Sequence, residues 1–323
     1  MNRQTDPARE RRGAGPVAKF TDPDWSAAGE PRAKVALKAL ETLWFNTGTL
    51  CNIACCNCYI LSSPTNDALA YLTLAEVEGY LDEVAALGLP TREIGFTGGE
   101  PFMNRDIIDM TEAALVRGHR VLVLTNAMRP MMRPRLHKGL AALTARFGER
   151  LVLRVSLDHY TAARHDAERE AGSFAAALDG MRWLRDQGIR TAVAGRDLWG
   201  EGEEAARAGY AALFAREGFA IDAEDPAQCV LFPEMDEAAE VPEITTACWG
   251  ILGKRPADVM CASSRMVVKR RGAARPAVLA CTLIAYEPRF ELGATLAEAG
   301  GAVALNHPHC AKFCVLGGAS CSA

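Results

Sequence analysis

The sequence lacks several features that would place it in a membrane or on nucleic acid. No run among its 323 residues approaches the roughly 18 uninterrupted apolar residues of a membrane span. Its first residues carry charges without an apolar core segment, so we expect no secretory signal. Basic residues are not in excess, because 36 Lys and Arg stand against 40 Asp and Glu. These absences argue against a nucleic-acid or membrane partner and predict a cytoplasmic protein.

Cysteine is absent from a long central stretch and crowded on either side of it. Four of the 11 cysteines lie between Cys51 and Cys58, none lies between residues 59 and 228, and seven follow. Cysteines that serve as ordinary small core residues would scatter more evenly. In a reducing compartment, clustered cysteines more often hold metal than form disulfides. The distribution therefore favours metal binding.

Short apolar runs alternate with segments of helical periodicity, which predicts an α/β fold. The predicted strands are 43–49, 93–97, 120–125, 151–157, 189–194 and 229–232. The predicted helices are 74–87, 105–117, 133–147, 173–187 and 203–217, with Thr73 and Ser173 as N-caps. Near-continuous apolar strands joined by right-handed crossovers predict a parallel sheet curved into a partial (β/α)6 TIM-like barrel. In such folds the chemistry lies at the C-terminal ends of the strands.

Composition divides the chain into three parts. Residues 1–40 are rich in Arg, Pro, Gly and Asp without periodicity, which predicts a flexible N-terminal tail. Residues 41–235 carry the barrel pattern. Beyond them the pattern gives way to short runs, turns and cysteines, so we expect a smaller C-terminal domain over residues 236–323.

Three cysteines of the first cluster have the spacing of a metal site. Cys51, Cys55 and Cys58 form a C-x3-C-x2-C pattern on one loop after one predicted strand. Three thiolates this close can bind three irons of a cubane [4Fe–4S] cluster and leave the fourth iron free. Zinc would need a fourth ligand, and chance clustering is the remaining alternative. Cys56 is not needed for the spacing and is interpreted as a bystander.

Polar motifs follow the next predicted strands. Gly98 and Gly99 allow close approach of a ligand to the backbone, and Glu100 offers a carboxylate to a cationic amine. A simple Gly-Pro turn is the alternative for this segment. Ser156 and Asp158 share one face of the fourth predicted strand, at the end where chemistry is expected. A helix N-cap is the alternative for Asp158.

The stretch from Cys51 to Tyr59 resembles the signature of the radical S-adenosylmethionine (radical SAM) enzymes, particularly those of the SPASM/twitch branch. Residues 98–100 are similar to the family's GGE motif, which holds the amino group of S-adenosylmethionine (SAM). Residues 125–127 resemble its T-N-G motif, and the chain from Leu153 to Ile189 resembles the V-S-L-D-G…H-D…R-G…G-S-F pattern of SPASM-type enzymes. The sequence departs from the family at Asn57, where His or an aromatic residue usually lies beside the adenine of SAM.

This resemblance implies a site and an activity. The implied cluster ligands are Cys51, Cys55 and Cys58, and the implied SAM contacts are Gly98, Gly99, Glu100, Asn126, Ser156 and Asp158. The implied reaction is reductive cleavage of SAM to a 5′-deoxyadenosyl radical, which abstracts hydrogen from an unidentified small molecule or peptide or protein side chain. An electron donor such as flavodoxin or ferredoxin would be needed. A maturase acting on a partner protein is the alternative, followed by a non-catalytic zinc or iron–sulfur module.

The resemblance extends to the C-terminal cysteines. Cys261 and Cys281 resemble the opening hairpin of a SPASM or twitch domain, and Cys310-x3-Cys314-x6-Cys321 resembles its closing turn. Two fully Cys-ligated auxiliary clusters would need about eight thiolates, and the C-terminal region has too few cysteines for that. The resemblance therefore implies one auxiliary [4Fe–4S] cluster. Its implied ligands are Cys261, Cys281, Cys310 and Cys314, with Cys321 competing for the fourth place.

Other residues leave alternatives open in this region. Cys248 is a further candidate for the fourth place. His307 and His309 stand beside Cys310 and keep a zinc site as the alternative to an iron–sulfur cluster. Cys229 falls within the last predicted strand and is interpreted as a core residue.

Overall fold

The six predicted strands all form, and they belong to one mainly parallel sheet. The computed structural model describes residues 18–234, 236 and 238–317. In chain order the strands are β1 (Lys34–Val35), β2 (Thr42–Asn46), β3 (Glu93–Thr97), β4 (Arg120–Thr125), β5 (Leu151–Ser156), β6 (Arg190–Asp197), β7 (Cys229–Pro233), β8 (Ser264–Val268), β9 (Ala277–Leu279), β10 (Glu291–Gly293) and β11 (Val303–Ala304). The strands predicted from apolar runs are β2 to β7.

Nine of these strands pair in the order β10-β9-β8-β2-β3-β4-β5-β6-β7. Neighbours from β8 through β7 run parallel, whereas β9 and β10 are antiparallel. The two ends of this order, β10 and β7, do not pair with each other in the described part of the chain. The sheet is therefore an open, partial barrel, as predicted.

Helices connect the parallel strands. They are α1 (Leu74–Ala86), α2 (Ile107–Val116), α3 (Pro134–Phe147), α4 (Ala162–Glu168), α5 (Ser173–Asp186), α6 (Glu203–Glu217) and α7 (Cys248–Leu252), with a π-helix at Cys310–Leu316. Short 3₁₀ turns occupy Pro101–Met103, Gly148–Arg150, Pro256–Asp258, Met260–Ala262, Pro288–Phe290 and Glu298–Gly300. No helix within the described ranges combines the length and apolarity that crossing a membrane requires.

The predicted N-caps have different outcomes. Thr73 caps α1 in a reciprocal capping box with Glu76, as predicted. The prediction for Ser173 is wrong by one residue, because the N-cap of α5 is Gly172 in the left-handed region at φ 82°. The first turn of α5 is instead satisfied by Asp166, whose carboxylate accepts hydrogen bonds from the backbone N–H groups of Gly172 and Phe174.

Alternation along the strands separates an outer core from an inner one. Phe45 and Phe96 stack at 5.7 Å between ring centroids, in the core that also contains buried residues of α1 to α3, α5 and α6. Trp44 belongs to the second core, which consists mainly of C-terminal residues. A Cβ at Gly95 would lie 2.3 Å from the Trp44 ring, so only glycine fits beside this indole.

The C-terminal region shares the sheet of the barrel. Strand β8 pairs in parallel with β2, and β9 and β10 continue the sheet beyond it. Much of the region packs into its own apolar core around residues such as Met266, Leu279 and Phe313. The segment beyond residue 235 is therefore distinct in its core and continuous with the barrel in its hydrogen bonding.

Residues 18–40 differ from the flexible tail that composition predicts. Arg32 is 3% exposed and pairs with Glu243 at 2.5 Å, while it also donates to the carbonyls of Trp25 and Leu305. Strand β1 pairs with β11. Backbone pairing and one buried ion pair hold this segment, and neither produces a hydrophobic period in the sequence. The predicted tail over residues 1–17 lies outside the described residues.

Candidate active site

A cleft of about 1140 Å³, its open mouth included, lies at the C-terminal ends of the parallel strands. Eight of the nine residues implied for the first cluster and SAM line it: Cys51, Cys55, Cys58, Gly98, Gly99, Asn126, Ser156 and Asp158. The ninth, Glu100, lies behind the cleft wall. Residues distant in the sequence thus meet at one edge of the sheet, where parallel-strand folds carry their chemistry.

The cysteine loop follows β2 and turns three of its thiols toward the cleft. Cys51 is buried, and Cys55 and Cys58 are half-buried. The Cys58 sulfur accepts a hydrogen bond from the Ser62 backbone N–H at 3.3 Å. Cys56 is exposed and is not part of the cleft lining, and its sulfur lies 3.7 Å from the backbone carbonyl oxygen of Ala167 in α4. The loop therefore presents three thiols, not four.

Burial disfavours the ionised forms of two of these thiols, those of Cys51 and Cys55. It raises the pKa of Cys51 to about 12 and that of Cys55 to about 11. Such thiols ionise near neutral pH only beside a strong positive charge, such as that of bound iron. Within the described part of the chain, no three His, Cys, Asp or Glu side chains are arranged to hold a single metal ion. Ligands of a four-iron cluster need not converge on one point, because each binds a different iron.

The two glycines after β3 allow a close approach to the cysteine loop. The Gly99 N–H donates to the Gly48 carbonyl at 2.8 Å, and a Cβ at Gly99 would lie 2.3 Å from the carbonyl oxygen of Leu50. Gly98 has a φ of +141°, a backbone conformation that residues with a side chain rarely adopt. Both glycines also line the cleft. The segment is therefore more than a turn: it packs against the backbone that leads into Cys51.

Glu100 has partners other than those the resemblance implies. Its carboxylate is 1% exposed and accepts hydrogen bonds from the backbone N–H groups of Phe102 and Asn126, at 3.1 and 2.8 Å, and from the Thr125 hydroxyl at 2.9 Å. Burial raises the pKa of Glu100 to about 7, although these donors act to lower it. The carboxylate is turned toward the loop after β4. Its contact with the amine of SAM stays a prediction.

Two arginines that sequence reasoning missed lie beside Asp158. Arg169 donates two hydrogen bonds to the Asp158 carboxylate, at 2.7 and 3.0 Å, and Arg196 lies 3.7 Å from it. Both arginines line the cleft. Burial alone would raise the pKa of Asp158, but the two guanidinium groups outweigh burial and hold it below its ordinary value. Asp158 is therefore an ionised partner of arginine and not a helix N-cap, since α4 begins after Thr161.

The missed arginines differ in the signal they leave. Arg196 stands two residues after Ala194 at the end of β6, so period-two alternation would have placed it on the cleft face. Arg169 follows α4, a helix of seven residues that the sequence pattern did not reveal. Nearby, His165 accepts a hydrogen bond from the Asp158 N–H at 3.1 Å and packs against Phe174, which is a structural role.

Removing one member of the buried Asp158–Arg169 pair should cost stability. We expect Arg169→Met to lower the free energy of unfolding by about 3–5 kcal/mol, because it leaves a buried carboxylate poorly compensated. Urea denaturation at pH 7 measures this, and the double variant with Asp158→Asn should recover much of the loss. Because the pKa of Asp158 is lowered, the pair contributes fully above about pH 3.8 and loses its effect as pH falls through the folded-state pKa. A loss below about 1 kcal/mol in the single variant would contradict the assignment.

A second, smaller cavity collects the C-terminal cysteines. It is lined by all four implied auxiliary ligands, Cys261, Cys281, Cys310 and Cys314, together with His309 and apolar side chains. Burial raises the pKa of Cys310 to about 12 and that of Cys261 to about 11. Leu283 lines both this cavity and the first cleft, so a single side chain belongs to the walls of both.

Cys310 and Cys314 both lie in the π-helix. Its hydrogen bonds join residues five apart, as from the Gly317 N–H to the Lys312 carbonyl at 3.0 Å, and the turn is wider than the 3.6 residues of an α-helix. Cys310 and Cys314 therefore return to the same side and line the second cavity. Phe313 projects instead into the first cleft.

The competing candidates lie elsewhere. Cys248 does not line the second cavity, and its sulfur accepts a hydrogen bond from the Thr245 N–H at 3.4 Å. Cys321 lies outside the described residues. Cys229 is fully buried in the barrel core, and His307, also buried, accepts a hydrogen bond from the His309 N–H. Among described candidates, Cys314 is thus the one placed with the other three cysteines.

Comparison with known proteins identifies relatives of the barrel. Residues 45–203 match the sequence profile of the radical SAM superfamily. Over 145 residues the chain is 31% identical to the antilisterial bacteriocin subtilosin biosynthesis protein AlbA of Bacillus subtilis (strain 168), covering 45% of this chain and 30% of AlbA. Over 153 residues it is 31% identical to the AdoMet-dependent heme synthase of Methanosarcina barkeri (strain Fusaro / DSM 804), covering 46% and 41%. Each match spans less than half of the relative's length.

Solved structures share the fold at low sequence identity. SuiB of Streptococcus suis, bound to S-adenosylmethionine, superposes with a TM-score of 0.57 and 11% identity over 79% of this chain and 63% of SuiB. The same protein bound to its precursor peptide SuiA gives a TM-score of 0.55 with 12% identity, over 80% and 63%. At this identity the likeness concerns the fold alone, which is the open α/β barrel described above.

Proposed function

Because this chain belongs to the radical SAM superfamily, in its SPASM/twitch branch, we propose that it is an enzyme that cleaves SAM reductively and abstracts hydrogen from a substrate. The observation that carries the proposal is the meeting of Cys51, Cys55 and Cys58 at one wall of a cleft large enough for a cofactor and a ligand. Three thiols fit a [4Fe–4S] cluster that keeps one iron open. Bound there, the cluster would supply the electron that converts SAM to methionine and a 5′-deoxyadenosyl radical.

The residues around the thiols fit a zwitterionic nucleoside. We assign the carboxylate of SAM to the side of the cleft that carries Arg169 and Arg196, because guanidinium groups bind carboxylates with directed hydrogen bonds. Gly98 and Gly99 expose backbone to the same cleft, and Ser156 offers a hydroxyl at the end of β5 for the ribose. Asp158 acts through the arginines that it holds.

The deeper part of the cleft suits a substrate with apolar and charged portions. Phe232, Leu283 and Phe313 supply an apolar wall that excludes water from a reactive radical. Arg154 projects from β5 into the cleft and is 2% exposed. A small molecule, or a side chain of a peptide or protein, would meet both surfaces. Two of the three apolar residues, Leu283 and Phe313, come from the C-terminal region, so this region helps to form the substrate site.

We also propose that the second cavity holds an auxiliary [4Fe–4S] cluster on Cys261, Cys281, Cys310 and Cys314. Four cysteines satisfy all four irons of a cubane, and the apolar lining keeps water away from it. Support from relatives comes from the SPASM-type fold neighbours and not from a match over these residues. His309 in the same lining keeps zinc as the alternative.

A maturase that modifies a peptide or protein is the second candidate. It is favoured by AlbA, which is named for bacteriocin biosynthesis, and by SuiB, which binds the precursor peptide SuiA. The heme synthase among the relatives favours a small molecule instead. For either candidate we propose a cytoplasmic site, because thiols placed to hold clusters must stay reduced, and flavodoxin or ferredoxin as the electron donor.

The proposed activity has a direct test. Anaerobically reconstituted protein, supplied with SAM and a chemical reductant, should form 5′-deoxyadenosine, which liquid chromatography with mass spectrometry detects. Stimulation of this formation by the low-molecular-mass filtrate of a cell extract would indicate a small-molecule substrate. Stimulation by the macromolecular fraction would indicate a protein substrate. No 5′-deoxyadenosine above an enzyme-free control, from protein with full iron content, would overturn the proposal.

A further inference from the structure

The side-chain amide of Asn126 points at one of the cluster thiols. Its Nδ2 atom lies 3.8 Å from the Cys51 sulfur and 2.9 Å from the Asn52 Oδ1 atom. Its Oδ1 atom accepts a hydrogen bond from the Met128 backbone N–H at 3.0 Å, which fixes the orientation of the amide. The NH₂ group therefore faces the sulfur, at a position only 5% exposed.

Glu100 holds Asn126 in this position. Its carboxylate accepts hydrogen bonds from the Asn126 backbone N–H and from the Thr125 hydroxyl. The Thr125 hydroxyl oxygen in turn accepts a hydrogen bond from the Ala127 N–H at 3.0 Å. Ala127 adopts a left-handed φ of 55°. A Cβ at Gly180 would lie 1.9 Å from the Ala127 carbonyl oxygen, so the helix behind this turn also fits tightly against it. The loops after β2, β3 and β4 are thus joined through one carboxylate and one amide.

A hydrogen bond to a cluster thiolate acts on the reduction potential. Reduction adds negative charge to the cluster and its sulfur ligands, so a donor at the sulfur stabilises the reduced state more than the oxidised one. The effect is strong where water is excluded, and Cys51 is 5% exposed. Asn126 thus aims an amide donor at a ligand of the first cluster, while the Asn52 amide oxygen lies 4.0 Å from the same sulfur.

We propose that Asn126 raises the reduction potential of the cluster at Cys51, and that Glu100 is a positioning residue for Asn126. This inference rests on the proposed function, since it needs an iron–sulfur cluster at the first cysteine loop.

Redox titration of the anaerobically reconstituted protein, followed by electron paramagnetic resonance without SAM, tests the proposal. Asn126→Leu removes the donor and should shift the reduction equilibrium by about tenfold toward the oxidised cluster, which equals about 59 mV for a one-electron couple. Glu100→Gln also removes a negative charge near Cys51, which by itself would raise the potential, so a shift of this variant toward the oxidised cluster marks the loss of Asn126 positioning.

Asn66→Leu is the matched control. The Asn66 amide makes equivalent bonds, accepting the Ala68 N–H and donating to the Leu61 carbonyl, but none to sulfur. Its replacement should leave the potential unchanged. Asn126→Asp is a second variant of equal size, and its negative charge beside the sulfur should lower the potential further than leucine does.

Each outcome decides the proposal. An unchanged potential in Asn126→Leu or Asn126→Asp with full iron content overturns it. Loss of the cluster from both Asn126→Leu and Asn126→Asp, but not from Asn66→Leu, also overturns it, because Asn126 would then act in cluster assembly alone. If the unaltered protein binds no cluster, the proposed function fails instead.

Discussion

Alanine in place of Cys51, Cys55 or Cys58 should remove about four of the roughly eight irons expected in the reconstituted protein and abolish SAM cleavage. All three thiols line the cleft, and each would bind a separate iron, so no neighbouring side chain can replace a missing one. Iron quantification and 5′-deoxyadenosine formation measure the two effects. The loss of cleavage should be complete, because the electron reaches SAM only through this cluster.

Cys56→Ala is the control that the loop itself offers. Its thiol is exposed and outside the cleft, although it adjoins Cys55 in the chain. The variant should keep both its iron and its activity. Equal loss in Cys56→Ala and Cys55→Ala would mean that the loop binds metal in another way. Tightly bound zinc without iron–sulfur absorption would refute the cluster altogether.

Replacing Cys281 and Cys314 together by alanine should remove about four irons while SAM is still cleaved in the absence of substrate. These two cysteines line the second cavity, and the first thiol loop does not contribute to it. Substrate turnover should stop, since an auxiliary cluster would accept an electron, bind the substrate or relay the initiating electron. Iron, zinc and 5′-deoxyadenosine are measured on the same preparation.

Two controls separate the alternatives for this site. Cys248→Ala should keep all iron, because its sulfur is bonded to Thr245 away from the cavity. His309→Ala should lose zinc if the cavity is a zinc site, and should keep iron if it holds a cubane on four cysteines. Zinc would also predict an unfolded C-terminal region in the double variant. Unchanged content of both metals would mean that these cysteines bind neither.

The barrel was predictable because its strands are buried on both faces. Strands β2 and β3 are buried throughout, so consecutive apolar residues occupy both faces, as in Leu43 to Phe45 of β2 and Ile94 to Phe96 of β3. Helix α4 was not predictable by the same means, because it has seven residues and only His165 is buried. A helix so short leaves no apolar stripe for periodicity to detect.

The site was predictable in its members more than in their contacts. The cysteine spacing identified the three thiols, but no pattern could show that Glu100 turns away from the cleft toward Asn126. That preference depends on which buried donors lack an acceptor, a property of the packed loops. Arg32 makes the same point for residues 18–40, since its partner Glu243 is more than 200 residues away in the chain. Long-range ionic contacts leave no local signal.

The parallel pairing of β8 with β2 bears on how far this chain can be divided. Cutting away the C-terminal region would turn β2 into an edge strand with unpaired N–H and C=O groups, and it would remove the core into which Trp44 packs. A barrel expressed by itself would thus expose an unpaired edge strand and an apolar surface, both of which promote aggregation. Any chimera that exchanges the C-terminal part for that of another enzyme must therefore supply a strand in register with Thr42 to Phe45.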